Sequence, residues 1–180
     1  MLYLVTGGSG SGKSAYAEEL AENLSTKEEM VQNISRYYIA TMKPYGSEAE
    51  KKIERHRKMR KEKQFSTVEC YTSLEKVNVP EDCIVLLECM SNLVANELFE
   101  PDGAKENTVA AILSAVDKLS SQVKALVIVT NEVFSDGLDY GIEMERYLSY
   151  LGKINRELAK RASKVVEVVY SIPIYIKGER

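Results

Sequence analysis

The chain has 180 residues, 44% hydrophobic and 28% charged, with a formal net charge of −3. That suits one soluble globular domain spanning residues 1–180, and it excludes a disordered or fibrous chain. No apolar run approaches the roughly 20 residues a membrane helix needs, so no membrane span is expected.

Leu2-Tyr3-Leu4-Val5 has the pattern of a short buried strand over 2–6, and it leads straight into glycine rather than into a signal-peptide cleavage site. Residues 7–14 then read Gly7-Gly8-Ser9-Gly10-Ser11-Gly12-Lys13-Ser14, a complete G-x-x-x-x-G-K-[ST]. A helical pattern over 13–24 follows. Strand, glycine loop and helix therefore come in the order that a phosphate-binding loop requires. The glycines let backbone N–H groups turn inward around a phosphate, and the helix N-terminus adds positive potential. Lys13 would reach the β and γ oxygens of a nucleoside triphosphate, and the Ser14 hydroxyl would ligate Mg²⁺.

Further along, 36–41 reads as a strand, 48–63 as a helix and 67–70 as a strand. Residues 51–63, KKIERHRKMRKEK, carry eight Lys/Arg against two Glu, a local charge of +6 that leaves −9 for the rest. Taken alone, such a segment suits a solvated helix face, a nucleic-acid patch or a landing surface for polyphosphate. The apolar run 83–88 ends in Glu88, placed like the carboxylate that holds Mg²⁺ or polarises a hydroxyl at a strand end. Helical patterns over 90–99, 105–122 and 143–162 alternate with strands at 125–130 and 164–170. Residues 134–141, FSDGLDYG, form a polar loop after a central strand, where ligands bind in open α/β sheets. A last strand at 173–177 contains Pro173, which cannot donate to a central ladder and so belongs at an edge. The expected fold is α/β and P-loop NTPase-like, a mainly parallel sheet with helices on both faces and a short C-terminal edge hairpin.

Cys70, Cys83 and Cys89 form no C-x-x-C pair, and with one histidine they make no convincing zinc site. Cys83 and Cys89 flank an apolar run and read as small buried hydrophobes, in keeping with a reducing cytoplasm. A regulatory GTPase is disfavoured: no D-x-x-G occurs, and Thr130-Asn131-Glu132-Val133 stands where N-K-x-D would be. Small-molecule kinases and nucleotidyltransferases remain. The one histidine, His56, sits among Arg55, Arg57, Lys58 and Arg60. Those cations disfavour its protonation and would neutralise a triphosphate under attack, which makes a nucleotidyl-histidine intermediate the natural expectation.

These residues resemble the bifunctional adenosylcobinamide kinase/adenosylcobinamide-phosphate guanylyltransferase family of cobalamin biosynthesis. The likeness runs through LYLVTGGSGSGKSAYAEEL, YIAT (38–41), H-R-x-x-R (56–60), Thr67-Val68-Glu69, LLECMSNLVANELF (86–99), VTNEV (129–133) and GKIN (152–155). Order and spacing carry it more than any piece beyond the loop. The resemblance implies phosphorylation of adenosylcobinamide by ATP or GTP, then transfer of GMP from GTP through guanylylated His56 to give adenosylcobinamide-GDP. It also implies nucleotide contacts from the loop, Ala40, Thr41, Met42, Arg57, Lys58, Met59, Arg60, Glu69 and Glu88, and a homotrimer. The carboxylates would accept guanine N–H groups or ribose hydroxyls. The chain departs from the family pattern on the acceptor side. Gly137-Leu138-Asp139 replaces G-I-V-P, and Tyr147-Leu148-Ser149 replaces F-R-D. Gly10, Lys61 and Phe65 stand for the usual Arg, Pro and Trp. Two further readings are a guanylyltransferase or kinase with an altered acceptor, and a nucleotide-dependent nucleic-acid module. Overall acidity and the lack of interleaved aromatics count against the second.

Overall fold

The computed structural model describes residues 1–26, 34–44, 63–133 and 141–179. Among these, β1 (Leu2–Thr6), β2 (Arg36–Ala40), β3 (Phe65–Glu69), β4 (Ile84–Leu87), β5 (Ala125–Val129), β6 (Lys164–Val169) and β7 (Ile172–Lys177) form one sheet. The strand order is β3-β2-β4-β5-β1-β6-β7. Every pairing is parallel except β6 with β7, which is antiparallel. The sheet and its edge hairpin are those expected, and Pro173 lies on the outermost strand opposite Val168.

Four α-helices cover the sheet among the described residues: α1 (Lys13–Thr26), α2 (Met90–Phe99), α3 (Thr108–Gln122) and α4 (Ile142–Arg161). Successive strand residues point to opposite faces. Tyr3 and Val5, with Leu86 and Val127, pack against Ala17 and Ala21 of α1. Leu2 and Leu4, with Val85, Leu87, Leu126 and Ile128, pack against the other three helices. Strands β4 and β5 are buried at every residue. Their uninterrupted apolar runs follow from having helices on both sides. In α4, Leu151, Ile154 and Leu158 recur at helical spacing and are fully buried.

Several element ends shift by one or two residues from the sequence pattern, and two differences have a visible cause. Strand β3 begins at Phe65, whose ring packs edge-on against Tyr38 of β2 and so joins the sheet two residues early. The pattern over 105–122 divides into a 3₁₀ turn at Lys105–Asn107 and a helix from Thr108, with Lys105 in the left-handed region at φ 55°. The basic helix expected over 48–63 lies outside the described residues except for Lys63, whose Nζ pairs with Glu18 at 2.7 Å. The loop 134–141 also lies outside them, save Gly141.

Candidate active site

The glycine loop joins the carboxyl end of β1 to the start of α1. Ser11 N–H donates to the Gly8 carbonyl at 3.3 Å, and Tyr16 N–H closes the first helical turn on the Gly12 carbonyl at 3.1 Å. Lys13 opens the helix, is 9% exposed, and donates from Nζ to the Gly8 carbonyl at 2.9 Å. An ammonium so nearly desolvated calls for anionic or carbonyl partners, and a cradled phosphate would supply them. The loop is held from outside by its neighbours. Glu132 N–H donates to the Gly7 carbonyl at 3.1 Å from beyond β5. On the other flank, a Cβ on Gly7 would lie 2.5 Å from the Val168 carbonyl of β6. Only glycine permits that approach.

Lys13 and Ser14 line a cavity of about 360 Å³ together with Met42, Glu88, Asn131 and Glu132. Glu88 directly follows β4; its N–H donates to the Ile39 carbonyl at 3.0 Å, and its Oε2 accepts from Thr41 N–H at 3.3 Å. Thr41 is fully buried, donating from Oγ1 to the Cys89 carbonyl at 3.0 Å and accepting from Asn96 Nδ2 at 2.9 Å. The segment Ala40-Thr41-Met42 is thus stitched to the β4–α2 junction. That fixes the Glu88 carboxylate beside the loop. Ser14 and Glu88 offer hard oxygen donors to one space, chemistry that would suit Mg²⁺.

Glu69 is not brought into that cavity. It ends β3, accepts from the Tyr71 hydroxyl at 3.0 Å, and lines a separate space of about 280 Å³ with Lys43 and Asp102. Ala40 is its register partner on β2. Glu69, Ala40 to Met42 and Glu88 therefore form a row along three adjacent strand ends, about 10 Å from first to last by strand spacing. Behind this row stands buried Glu97 of α2. Its carboxylate accepts from Ser73 N–H at 2.6 Å and from Ala104 N–H at 2.8 Å, which shapes the wall of the Glu69 space.

Cys83 is buried as expected, Cys70 is buried too, and burial pushes both thiols up to about 11. Cys89 is not a core residue. It caps α2, is only partly covered and lines the loop cavity, because it follows the carboxyl end of central strand β4, where that cavity lies. Burial raises its thiol too. Asn131 and Glu132 carried no assigned role in the sequence. Their signal was two polar residues closing the uninterrupted apolar run of β5, where open sheets bind ligands. Thr130 beside them is 1% exposed and donates to Asn155 Oδ1 at 2.8 Å, which ties GKIN to the same strand end. At the departure over 147–149, the Tyr147 hydroxyl donates to the Ser91 carbonyl at 3.4 Å, docking α4 on α2. His56 and Arg57 to Arg60 lie outside the described residues.

A mainly parallel sheet with a glycine cradle at one strand end, a buried lysine and a facing carboxylate defines a P-loop nucleotide-binding protein. The family model for cobinamide kinase / cobinamide phosphate guanyltransferase matches residues 3–176. The chain belongs to that family. The bifunctional adenosylcobalamin biosynthesis protein CobU of Escherichia coli K12 is 30% identical over 98% of this chain and 100% of its own length. Its namesake from Salmonella typhimurium is 28% identical over 98% and 100%. The bifunctional protein CobP of Pseudomonas aeruginosa is 27% identical over 98% and 97%. Among solved structures, a KaiC-like protein from Pyrococcus horikoshii covers 92% of this chain and 71% of its own at 13% identity and a TM-score of 0.47. Among the described residues, no helix is long and apolar enough to cross a membrane.

Proposed function

We propose that this protein phosphorylates adenosylcobinamide with ATP or GTP and then converts the product to adenosylcobinamide-GDP through guanylylated His56. The observation that carries the reading is buried Lys13 at the head of the loop, opening on the same cavity as Ser14 and Glu88. In the first reaction the aminopropanol oxygen forms a bond to the γ-phosphorus. The bond from that phosphorus to the β,γ-bridging oxygen breaks, and the nucleoside diphosphate and one proton leave. Lys13 and the loop N–H groups hold the β and γ oxygens and offset the charge that moves onto the leaving phosphate. Ser14 and Glu88 would hold Mg²⁺, which supplies further charge neutralisation when bound.

In the second reaction a ring nitrogen of His56 attacks the α-phosphorus of GTP and pyrophosphate departs. The phosphate of the acceptor then displaces the imidazole, which returns to its free state. Glu69 and Glu88 flank the strand ends of β3, β2 and β4 and are the carboxylates suited to guanine N–H groups or ribose hydroxyls. The same proposal includes a homotrimer in the cytoplasm; light scattering at three times the monomer mass would support the assembly.

The test is incubation with Mg²⁺ and GTP labelled at the α-phosphate. Acid-labile, base-stable label on the protein, lost in His56→Asn, is expected. No label from GTP or ATP would sink the transferase reading.

A further inference from the structure

Between β6 and β7 the chain reverses in two residues, Tyr170 and Ser171, with φ of 49° and 64°. Hairpin turns of this left-handed kind favour Asn-Gly, since larger side chains crowd their own backbone there. Tyr170 takes up that conformation without being buried in return: it is 90% exposed. A strained, solvent-facing aromatic is a poor choice for folding and a usual one for binding.

The turn is part of the wall of the phosphate loop. Ser171 N–H donates to the Ser11 carbonyl at 2.8 Å. A Cβ on Gly12, at φ 91°, would lie 2.6 Å from Ser171 Oγ, so glycine is needed for the turn to seat. Farther along the hairpin the Tyr16 and Tyr175 hydroxyls meet at 3.3 Å and tie β7 to α1. Tyr170 is therefore carried on a rigid mount fixed to the loop and to its helix.

Direction follows from the sheet order. The cavity shared by Lys13, Ser14 and Glu88 opens toward β5 and β4, which places the reacting γ-phosphate on that flank. A triphosphate laid across the loop then carries its nucleoside to the opposite flank, where β6 is the next strand and Tyr170 stands at its end. We propose that Tyr170 is the platform on which the purine base of the phosphoryl donor stacks. The inference rests on the kinase reading above and adds a nucleobase subsite to it. A ring face reads no hydrogen-bond pattern, so the subsite accepts any purine nucleoside triphosphate.

The chain contains no tryptophan, so Tyr170→Trp provides a single emission reporter at the site. Saturable quenching by ATP and by GTP, with none from inorganic tripolyphosphate, is expected. In adenosylcobinamide phosphorylation, Tyr170→Ala should raise KM for ATP about tenfold with kcat within about twofold, and Tyr170→Phe should restore KM. Quenching by tripolyphosphate as strong as by ATP would overturn the proposal. So would a wild-type KM in Tyr170→Ala. Purine-specific quenching in a protein that fails to phosphorylate adenosylcobinamide would support the base platform and sink the kinase reading alone.

Discussion

The two flanks of the phosphate loop are built from different chemistry. Toward β4, β2 and β3 the strand ends carry Glu88, the Thr41 backbone and Glu69, groups that discriminate one hydrogen-bonding edge from another. Toward β6 and β7 they carry a turn held by backbone bonds and topped by an exposed aromatic ring. On the proposed reading, the first flank selects guanine for GMP transfer and the second accepts any purine for phosphoryl transfer. One cradle can then serve two reactions because the nucleoside leaves it in two directions. On that reading, specificity sits in the strand ends beside the loop and not in the loop.

The largest expected effect falls on what the flanks share. On the proposed reading Lys13→Ala removes a nearly buried cation from the β and γ oxygens, and phosphoryl transfer to adenosylcobinamide should drop by roughly 10³-fold. Turnover measured with labelled ATP checks this, and retained activity would dismiss the loop from the kinase step. A second variant bears on the polar flank alone. Glu97→Ala leaves the partly buried Ser73 and Ala104 N–H groups without their shared acceptor, at a cost of about 3 kcal/mol. In a chain of this size that is a fall of roughly 8 °C in the melting temperature. Glu97→Gln should lose less, since its amide keeps one acceptor oxygen for one of the two donors.

Glu69 gives the sharper contrast. If it reads guanine, Glu69→Gln should raise KM for GTP in protein guanylylation about tenfold, the loss of one charge-assisted bond. The KM for ATP in phosphorylation should move far less, while Tyr170→Ala should show the reverse ranking. The same ranking in both variants would mean that the nucleoside uses one flank only.

Much of this architecture was readable before folding. The loop was a contiguous motif between a strand and a helix. Uninterrupted apolar runs marked β4 and β5 as central, and Pro173 marked the edge. Glu88 was visible because it closes such a run. What was hidden depends on contacts between distant segments. Cys89 sits next to an apolar run and reads as core, yet the end of β4 opens it to the cavity. Tyr170 reads as the last residue of the strand pattern 164–170. Its left-handed turn exists because Ser171 closes on Ser11, 160 residues earlier, and no periodicity records that bond. The separation of Glu69 from Glu88 needed the strand order, since β2 stands between them.

The smallest effect is the one that best tells strain from use. Asparagine tolerates the left-handed region that tyrosine resists, so Tyr170→Asn should stabilise the nucleotide-free protein by about 1 kcal/mol. The melting temperature should rise by roughly 3 °C. The same substitution removes the ring face, so KM for ATP should rise as in Tyr170→Ala. Stability and nucleotide affinity would then move in opposite directions from one exposed position. A purely structural tyrosine cannot produce that pair of signs, because removing it would leave stability unchanged or lower. A variant that melts higher and binds ATP as wild type does would show that the strain is real and serves some end other than the base.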